Sequence, residues 1–493
     1  FTEYRRQILY GPLYRAGEII VMNRNVQHGY KISIPLFFKT LTLILGLSLI
    51  AQVQAQDLKL SGTLTPSAFV IPSPEQPLGF AGLRGTAALD GYVGDSVSYR
   101  VSAETYLNGA GLAESFNWES STDSRLLSAS LWGNSRLGGT VELKEAWVEA
   151  SLGDLDLRLG KQLAAWGLAD GNNPTDTINA RHQGTRYTTT LDEQKIASWM
   201  LNGTYYLPNN LGTIQGLLLP VSIPNDLPSL AMTINAGPTI IVIKEDAYPD
   251  ISLETLEGGL RSLLYLGKLS VSASYFTYLD RYPDFTVSVV DGFPTTITYT
   301  PVHNRIHQAG FDAAYAIAGF DIRSEWALSL TKDMEGLKPT EKNPYMQGVL
   351  QASRSFINST TTLSLAWAPR YVLNYKAPED YTNPSDQQAA AMLRQYDGQA
   401  YQWEHGLSLR LAGKYRNETL QPELLFLSET SARDWIGTAS VSYQLADGIS
   451  LKAGTVQYGS FLGEGDADRE LGTFSKSSSI DKDYYYLEIK FSF

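Results

Sequence analysis

The sequence predicts an all-β chain: a transmembrane antiparallel up-and-down β-barrel of about eighteen strands, with sixteen as the alternative count. Three observations carry this. Apolar and polar residues alternate with period two from residue 58 to the end. The connections between alternating runs come in two sizes, short and long, in turn. The final run, Tyr484 to Phe493, alternates as well and ends on an aromatic.

Residue 1 is Phe, and Met22 opens a stretch with the layout of an export signal. Arg24, Lys31 and Lys39 give its cationic region. Leu36-Phe37-Phe38 and Leu41 to Ile50 give its apolar one, and Val53 and Ala55 fit small-residue cleavage after Ala55. Residues 1–21 therefore read as an upstream extension, 22–55 as a cleavable signal peptide and 56–493 as one barrel domain. Export by such a leader points to the bacterial outer membrane.

The formal net charge is −12, and the leader carries more cations than anions, so its removal makes the rest more acidic. That balance argues against a nucleic-acid partner, which wants a basic face. Cysteine is absent, which excludes disulfides and thiolate metal sites. No apolar run after Ala55 approaches the ~20 residues of a spanning helix. Lipid admits only helices and closed sheets, so this chain would span it as a barrel. The 29 Tyr and 9 Trp suit interfacial girdles.

Strands are expected near 58–70, 80–91, 96–107, 140–151, 154–162, 196–207, 211–220, 257–266 and 268–279. The others fall near 305–317, 319–330, 345–357, 360–373, 403–414, 419–429, 435–445, 448–459 and 482–493. The clearest is 319–330, where Phe320, Ile322, Trp326, Leu328 and Leu330 share one face and Asp321, Arg323 and Glu325 the other. The weakest is 80–91, rich in glycine and small residues. So many strands would leave a small filled barrel behind, so the apolar face is assigned outward and the polar face to the lumen. Every short turn then falls at the periplasmic end, and the long connections at the outside.

Long connections include 108–139, 163–195, 221–256, 280–304, 374–402 and 460–481. Residues 385–397 read as a loop helix capped by Ser385 or Asp386. The loop 221–256 is unusually apolar, with Ile240-Ile241-Val242-Ile243 at its centre. It reads as an extra hairpin, a lid or a surface for hydrophobic material.

One segment breaks the alternation: Gly160-Lys161-Gln162, Trp166-Gly167, Asp170-Gly171, Thr175-Asp176 and Ile178-Asn179. With the preceding Leu143 to Leu159, it resembles a widespread family of large proteobacterial outer-membrane proteins of unknown function. The family pattern continues Asn-Pro-x-Asp, where this chain has Asn179-Ala180-Arg181-His182. The ending at Phe493 resembles the C-terminal signature that the barrel assembly machinery reads. These resemblances imply a porin-like barrel or an exporter of hydrophobic compounds.

On the strand count, 163–195 is the third external loop, the one that folds into the lumen in general porins. Lys161, Trp166, Asp170, Asp176 and Asn179 are then the candidate constriction residues, acting through a transverse field or by holding the loop to the wall. Alternation points Arg100, Glu104, Glu145, Asp156, Arg158, Arg261, Asp321, Arg323, Glu325, Arg410 and Glu488 into the lumen. Their mixed signs suit a hydrated pore or a ladder of cross-strand ion pairs.

Catalytic motifs are lacking: there is no Gly-x-Ser-x-Gly elbow and no His-Glu-x-x-His helix. His303 and His307, if both on one strand, lie about 13 Å apart, too far to share a metal. His405 with Ser408 is the available pair for a barrel hydrolase. The expected function is a porin-like channel for passive diffusion of small solutes, with no cofactor. The alternatives are an outer-membrane transporter of hydrophobic compounds and an outer-membrane hydrolase. The expected partners are outer-membrane lipid and lipopolysaccharide, the assembly machinery, small solutes and, in a trimeric form, two further copies of the chain.

Overall fold

The computed structural model describes residues 55–72, 78–109, 128–133, 137–169, 173–182, 192–227, 231–357, 359–397, 399–461 and 483–493. The expected upstream extension, and the expected signal peptide up to residue 54, lie outside the described residues.

In chain order the strands are β1 (Ala55–Ile71), β2 (Leu78–Val93), β3 (Val97–Gly109), β4 (Ser128–Gly133), β5 (Leu137–Leu152), β6 (Leu155–Gln162), β7 (Ser198–Tyr206) and β8 (Gly212–Leu219). Then come β9 (Met232–Ala236), β10 (Thr239–Ile243), β11 (Glu257–Leu266), β12 (Leu269–Leu279), β13 (Asp284–Val290), β14 (Thr295–Val302), β15 (Arg305–Ile317) and β16 (Phe320–Leu330). The last are β17 (Tyr345–Phe356), β18 (Thr361–Val372), β19 (Trp403–Gly413), β20 (Leu420–Glu429), β21 (Asp434–Ala446), β22 (Ile449–Ser460) and β23 (Tyr484–Ser492). One α-helix, α1 (Pro384–Asp397), lies between β18 and β19.

Eighteen of these strands pair antiparallel with their neighbours, and β23 closes the ring on β1 with Ser492 opposite Thr63 and Glu488 opposite Ser67. They are the eighteen segments the alternation predicts, so the sixteen-strand alternative falls. The doubtful segment near 80–91 is strand throughout, paired along its length with β1 and β3. Its small residues weakened the pattern because alternation needs large side chains to be visible. The short turns gather at one end. At Ala318-Gly319 both residues take positive φ (51° and 80°), the geometry that a two-residue hairpin between right-twisted strands requires.

The outer wall is apolar. On β16, Phe320 and Ile322 are exposed, whereas Glu325 on the opposite face is 0 % exposed. The same holds around the ring, with Leu60, Leu159, Leu260, Leu350, Leu365, Leu409 and Leu487 exposed. In water such a surface would aggregate; in lipid it is the stable outside of a barrel. Aromatics cluster near the short turns, among them Tyr92, Tyr205, Tyr265, Tyr315, Phe356 and Phe491, all exposed. At the other end Tyr371 and Trp403 pack with ring centroids 4.5 Å apart, and His405 stacks on Trp403 at 5.7 Å.

That stack corrects the hydrolase pairing. His405 shares its face with Leu407 and Leu409, which are exposed on the outer wall, while Ser408 lies on the inner face of β19. The two side chains point to opposite sides of the sheet and cannot act together.

The loop 221–256 resolves into the hairpin β9–β10, one of the three readings its composition allows. β10 runs parallel to β14, giving a four-stranded external sheet in the order β13-β14-β10-β9. Helix α1 packs on it, joining Ala389 and Leu393 to Phe285 and Tyr299. The helix begins earlier than its expected caps. Pro384 takes the first turn, where its missing N–H costs nothing, and Asn383 precedes it and donates to Asp386 Oδ2 at 3.1 Å.

The closure of the ring rests partly on the last residue. Phe493 N donates to Gly62 O at 3.1 Å, and Gly62 N donates to Phe493 O at 2.9 Å. The Phe493 ring covers Gly62 so closely that a Cβ there would sit 2.6 Å from Cζ. Deleting Phe493 should therefore lower the yield of folded, heat-modifiable protein in membranes severalfold, and Gly62→Leu should do the same. Normal band-shift yields from both variants would show that this corner does not govern closure.

Candidate functional site

Inward-facing strand positions carry charge, and most of it is paired with an opposite charge on the same or a nearby strand. Arg100 reaches Glu145 at 3.3 Å and Asp90 at 3.6 Å. Arg158 holds Glu149 at 2.7 Å, Arg261 holds Asp312 at 3.2 Å, Arg323 holds Asp321 at 2.8 Å and Arg410 holds Glu423 at 2.6 Å. Glu104 takes Lys144 at 3.0 Å and also Arg84, and Glu488 lies opposite Lys452. Lys144 reaches Glu104 because the pairing of β3 with β5 skips a residue there, a bulge that breaks strict alternation.

The connection from β6 to β7 crosses this charged interior. Its first part is fixed by packing. Trp166, 1 % exposed, meets Phe276 edge-on at 5.7 Å and joins Ile178, Met200, Leu217, Leu219 and Ile306 in an apolar cluster on the inner wall. Its indole N–H donates to Gln215 Oε1 at 2.8 Å.

The middle is fixed from a third of the way round the ring. Glu325, at mid-length of β16, accepts hydrogen bonds from the backbone N–H of Leu168 (3.1 Å), Ala169 (3.2 Å) and Thr175 (2.9 Å), and from the Thr175 hydroxyl (2.7 Å). Arg323 Nη1 donates to Leu168 O at 2.8 Å, and Gln308 and Gln347 both donate to Pro174 O. β6 and β16 are six places apart around the ring, so the loop spans a wide arc of the lumen. Gly167, at φ 100°, lies so near the carboxylate that a Cβ would meet its oxygens at 2.5–2.6 Å.

The return is fixed by two buried polar knots. In one, Arg281 on the connection after β12 donates to Ile178 O (2.7 Å), Thr177 O and Ile223 O, and pairs with Glu257 Oε2 at 2.8 Å. In the other, His182 Nε2 lies 2.9 Å from Glu142 Oε2 and Nδ1 lies 2.9 Å from Asp226 Oδ2. Glu142 also receives Lys161 Nζ at 3.1 Å, and Lys161 is 0 % exposed. Burial alone would lower the His182 pKa, but the carboxylates of Asp226 and Glu142 outweigh it and hold it up at about 9. The imidazolium thus ties the loop to β5 and to the connection after β8.

Four of the five candidate constriction residues are in this anchoring. Lys161 and Trp166 sit as described. Asp176 pairs with Lys195 at 2.7 Å and Arg181 at 3.6 Å. Asn179 Oδ1 accepts from Ala164 N at 2.9 Å and its Nδ2 donates to Ile196 O at 2.9 Å, clasping the two ends of the loop together. Asp170 lies outside the described residues. The loop runs to Ala197, two residues beyond its expected end. Sequence reasoning did not find Glu142, Asp226, Glu257, Arg281 or Gln308, although unbroken alternation on β15 does place Gln308 inward.

Residues 81–214 match the model of a family described as "Protein of unknown function (DUF1302)". That segment runs from β2 into β8 and contains the whole crossing loop. No curated protein matches the chain. Among solved structures, OccAB2 of Acinetobacter baumannii is similar at 10 % identity and TM-score 0.48, covering 89 % of this chain and 98 % of that one. OccK8 (OprE) of Pseudomonas aeruginosa is similar at 12 % identity and TM-score 0.48, with the same coverage. A loop L8 deletion mutant of OmpT, an outer membrane protein of Vibrio cholerae, is similar at 10 % identity and TM-score 0.40, covering 89 % and 99 %. The likeness is one of fold.

Proposed function

We propose that this chain is an outer-membrane porin-like channel for passive diffusion of small solutes, with the loop 163–195 as its constriction. The observation that carries the reading is the Glu325 carboxylate, which holds three backbone N–H groups of that loop from across the lumen. A polar, charge-lined interior behind an apolar wall is the arrangement of a hydrated pore. On this reading the partners are outer-membrane lipid and lipopolysaccharide, the assembly machinery acting on the strand that ends at Phe493, and small solutes, and the chain works as a monomer or a homotrimer.

One observation favours a transporter of hydrophobic compounds. The outer wall over β7, β8 and β11 has an apolar cleft of about 510 Å³ between Leu201, Leu218, Leu260 and Tyr275, floored by Gly203 and Gly216. Single-channel recording of refolded 56–493 in a planar bilayer, with and without the loop 163–195, separates the two. Stable steps that enlarge when the loop is removed support the channel. A folded barrel with no conductance in either form would transfer the reading to the lateral cleft.

A further inference from the structure

Beneath the start of the crossing loop, facing the short-turn end, the inner wall of β5 to β8 opens into a polar recess of about 240 Å³. Its charged groups are Glu149, Asp156 and Arg158, with Thr204, Tyr206 and Gln215 beside them. The single cation is held rigidly. Arg158 commits Nε and Nη2 to Glu149 Oε2, both at 2.7 Å, and its guanidinium lies 4.1 Å from the Trp147 ring centroid. Nη1 takes no part in these contacts, and Arg158 lines the recess. Asp156, two positions along the same face and so about 7 Å away, accepts the Tyr206 hydroxyl and forms no ion pair among the described residues. Every other inward strand arginine predicted from alternation has its carboxylate; here one carboxylate is left over.

We propose that this recess is a transit subsite for small zwitterions of the α-amino-acid class, taking their carboxylate on Arg158 and their ammonium on Asp156. A free anion meets Asp156 and Glu149 there, and a free cation can use Asp156 but gains nothing from Arg158. A neutral polyol gains hydrogen bonds but neither charge contact. A zwitterion alone answers both. The subsite rests on the channel reading above, since a solute entering from the long-loop end reaches it only past the loop.

The test is proteoliposome swelling with the mature chain, comparing glycine and L-serine with a neutral polyol of similar size and with a monoanion. Glycine and serine should enter about fivefold faster than the polyol, the scale that half-exposed ion pairing sets. Asp156→Asn, nearly isosteric, should bring that ratio close to one, with heat-modifiability confirming a folded barrel. Arg158→Lys keeps the charge and should retain part of the preference. Equal wild-type rates for zwitterion and polyol, or a preference untouched by Asp156→Asn, would overturn the subsite while leaving the channel standing. A folded barrel that passes no solute would overturn the channel reading and the subsite with it.

Discussion

Replacing Glu325 with alanine is expected to raise the single-channel conductance about twofold or more and to make the current noisy, while the barrel still folds. The carboxylate is buried and its partners are three backbone N–H groups and a hydroxyl, all from the crossing loop. Charge-assisted bonds of this kind are the strong ones, and losing the acceptor leaves its donors unsatisfied. The local penalty is about 3 kcal/mol, enough to shift the loop's middle off the wall without touching the strand pairing that holds β16 between β15 and β17. Gly167→Ala offers an independent route to the same state. Its new Cβ would collide with the same carboxylate oxygens, on a backbone at φ 100° that alanine adopts only with strain. If both variants conduct like wild type, Glu325 does not hold the constriction.

The strands were legible because burial on one face and lipid on the other impose period two on every run, whatever the partner. The eighteen runs, the end at which each turn lies and the separate character of 163–195 follow from that rule alone. What alternation cannot show is who meets whom across the lumen. Glu325 reads correctly as inward-facing, but Thr175 lies 150 residues away in sequence and nothing local marks the pair. Lys144 is hidden for another reason. It follows Leu143 at a bulge, and a bulge shifts the phase of everything after it, so Glu142 and Glu145 both face inward though an odd number of positions apart. Arg281 and Glu257 sit where strands give way to loops, outside any periodic pattern. Trp166 shows the opposite case. A lone tryptophan in a non-alternating segment marks an anchor, and it is one, but only the fold reveals that the anchor is an apolar cluster inside a polar lumen.

Removing the charge of Glu142 is expected to harm assembly more than any other single change inside the barrel. Its carboxylate is the common acceptor for Lys161 Nζ and His182 Nε2, and Lys161 has no exposed surface. Glu142→Ala would strip a buried ammonium and an imidazolium of the carboxylate they share. Breaking one partner out of a buried ion cluster costs about 3–5 kcal/mol, so the folded fraction in a urea titration should fall sharply. Glu142→Gln keeps the shape but not the charge and should recover little. His182 provides the graded version. Its folded pKa of about 9 lies above the ordinary 6.5, so protonation favours the attached loop. That contribution is complete below about pH 6.5 and disappears as the pH rises through about 9. Current noise in the wild-type channel should therefore grow between pH 7 and pH 10 and be flat in His182→Asn, which cannot titrate. A wild-type trace equally quiet at both ends of that range would mean that Asn179 and Arg281 hold the loop without the histidine. An unchanged urea midpoint for Glu142→Ala would mean that water reaches Lys161 and replaces the missing carboxylate.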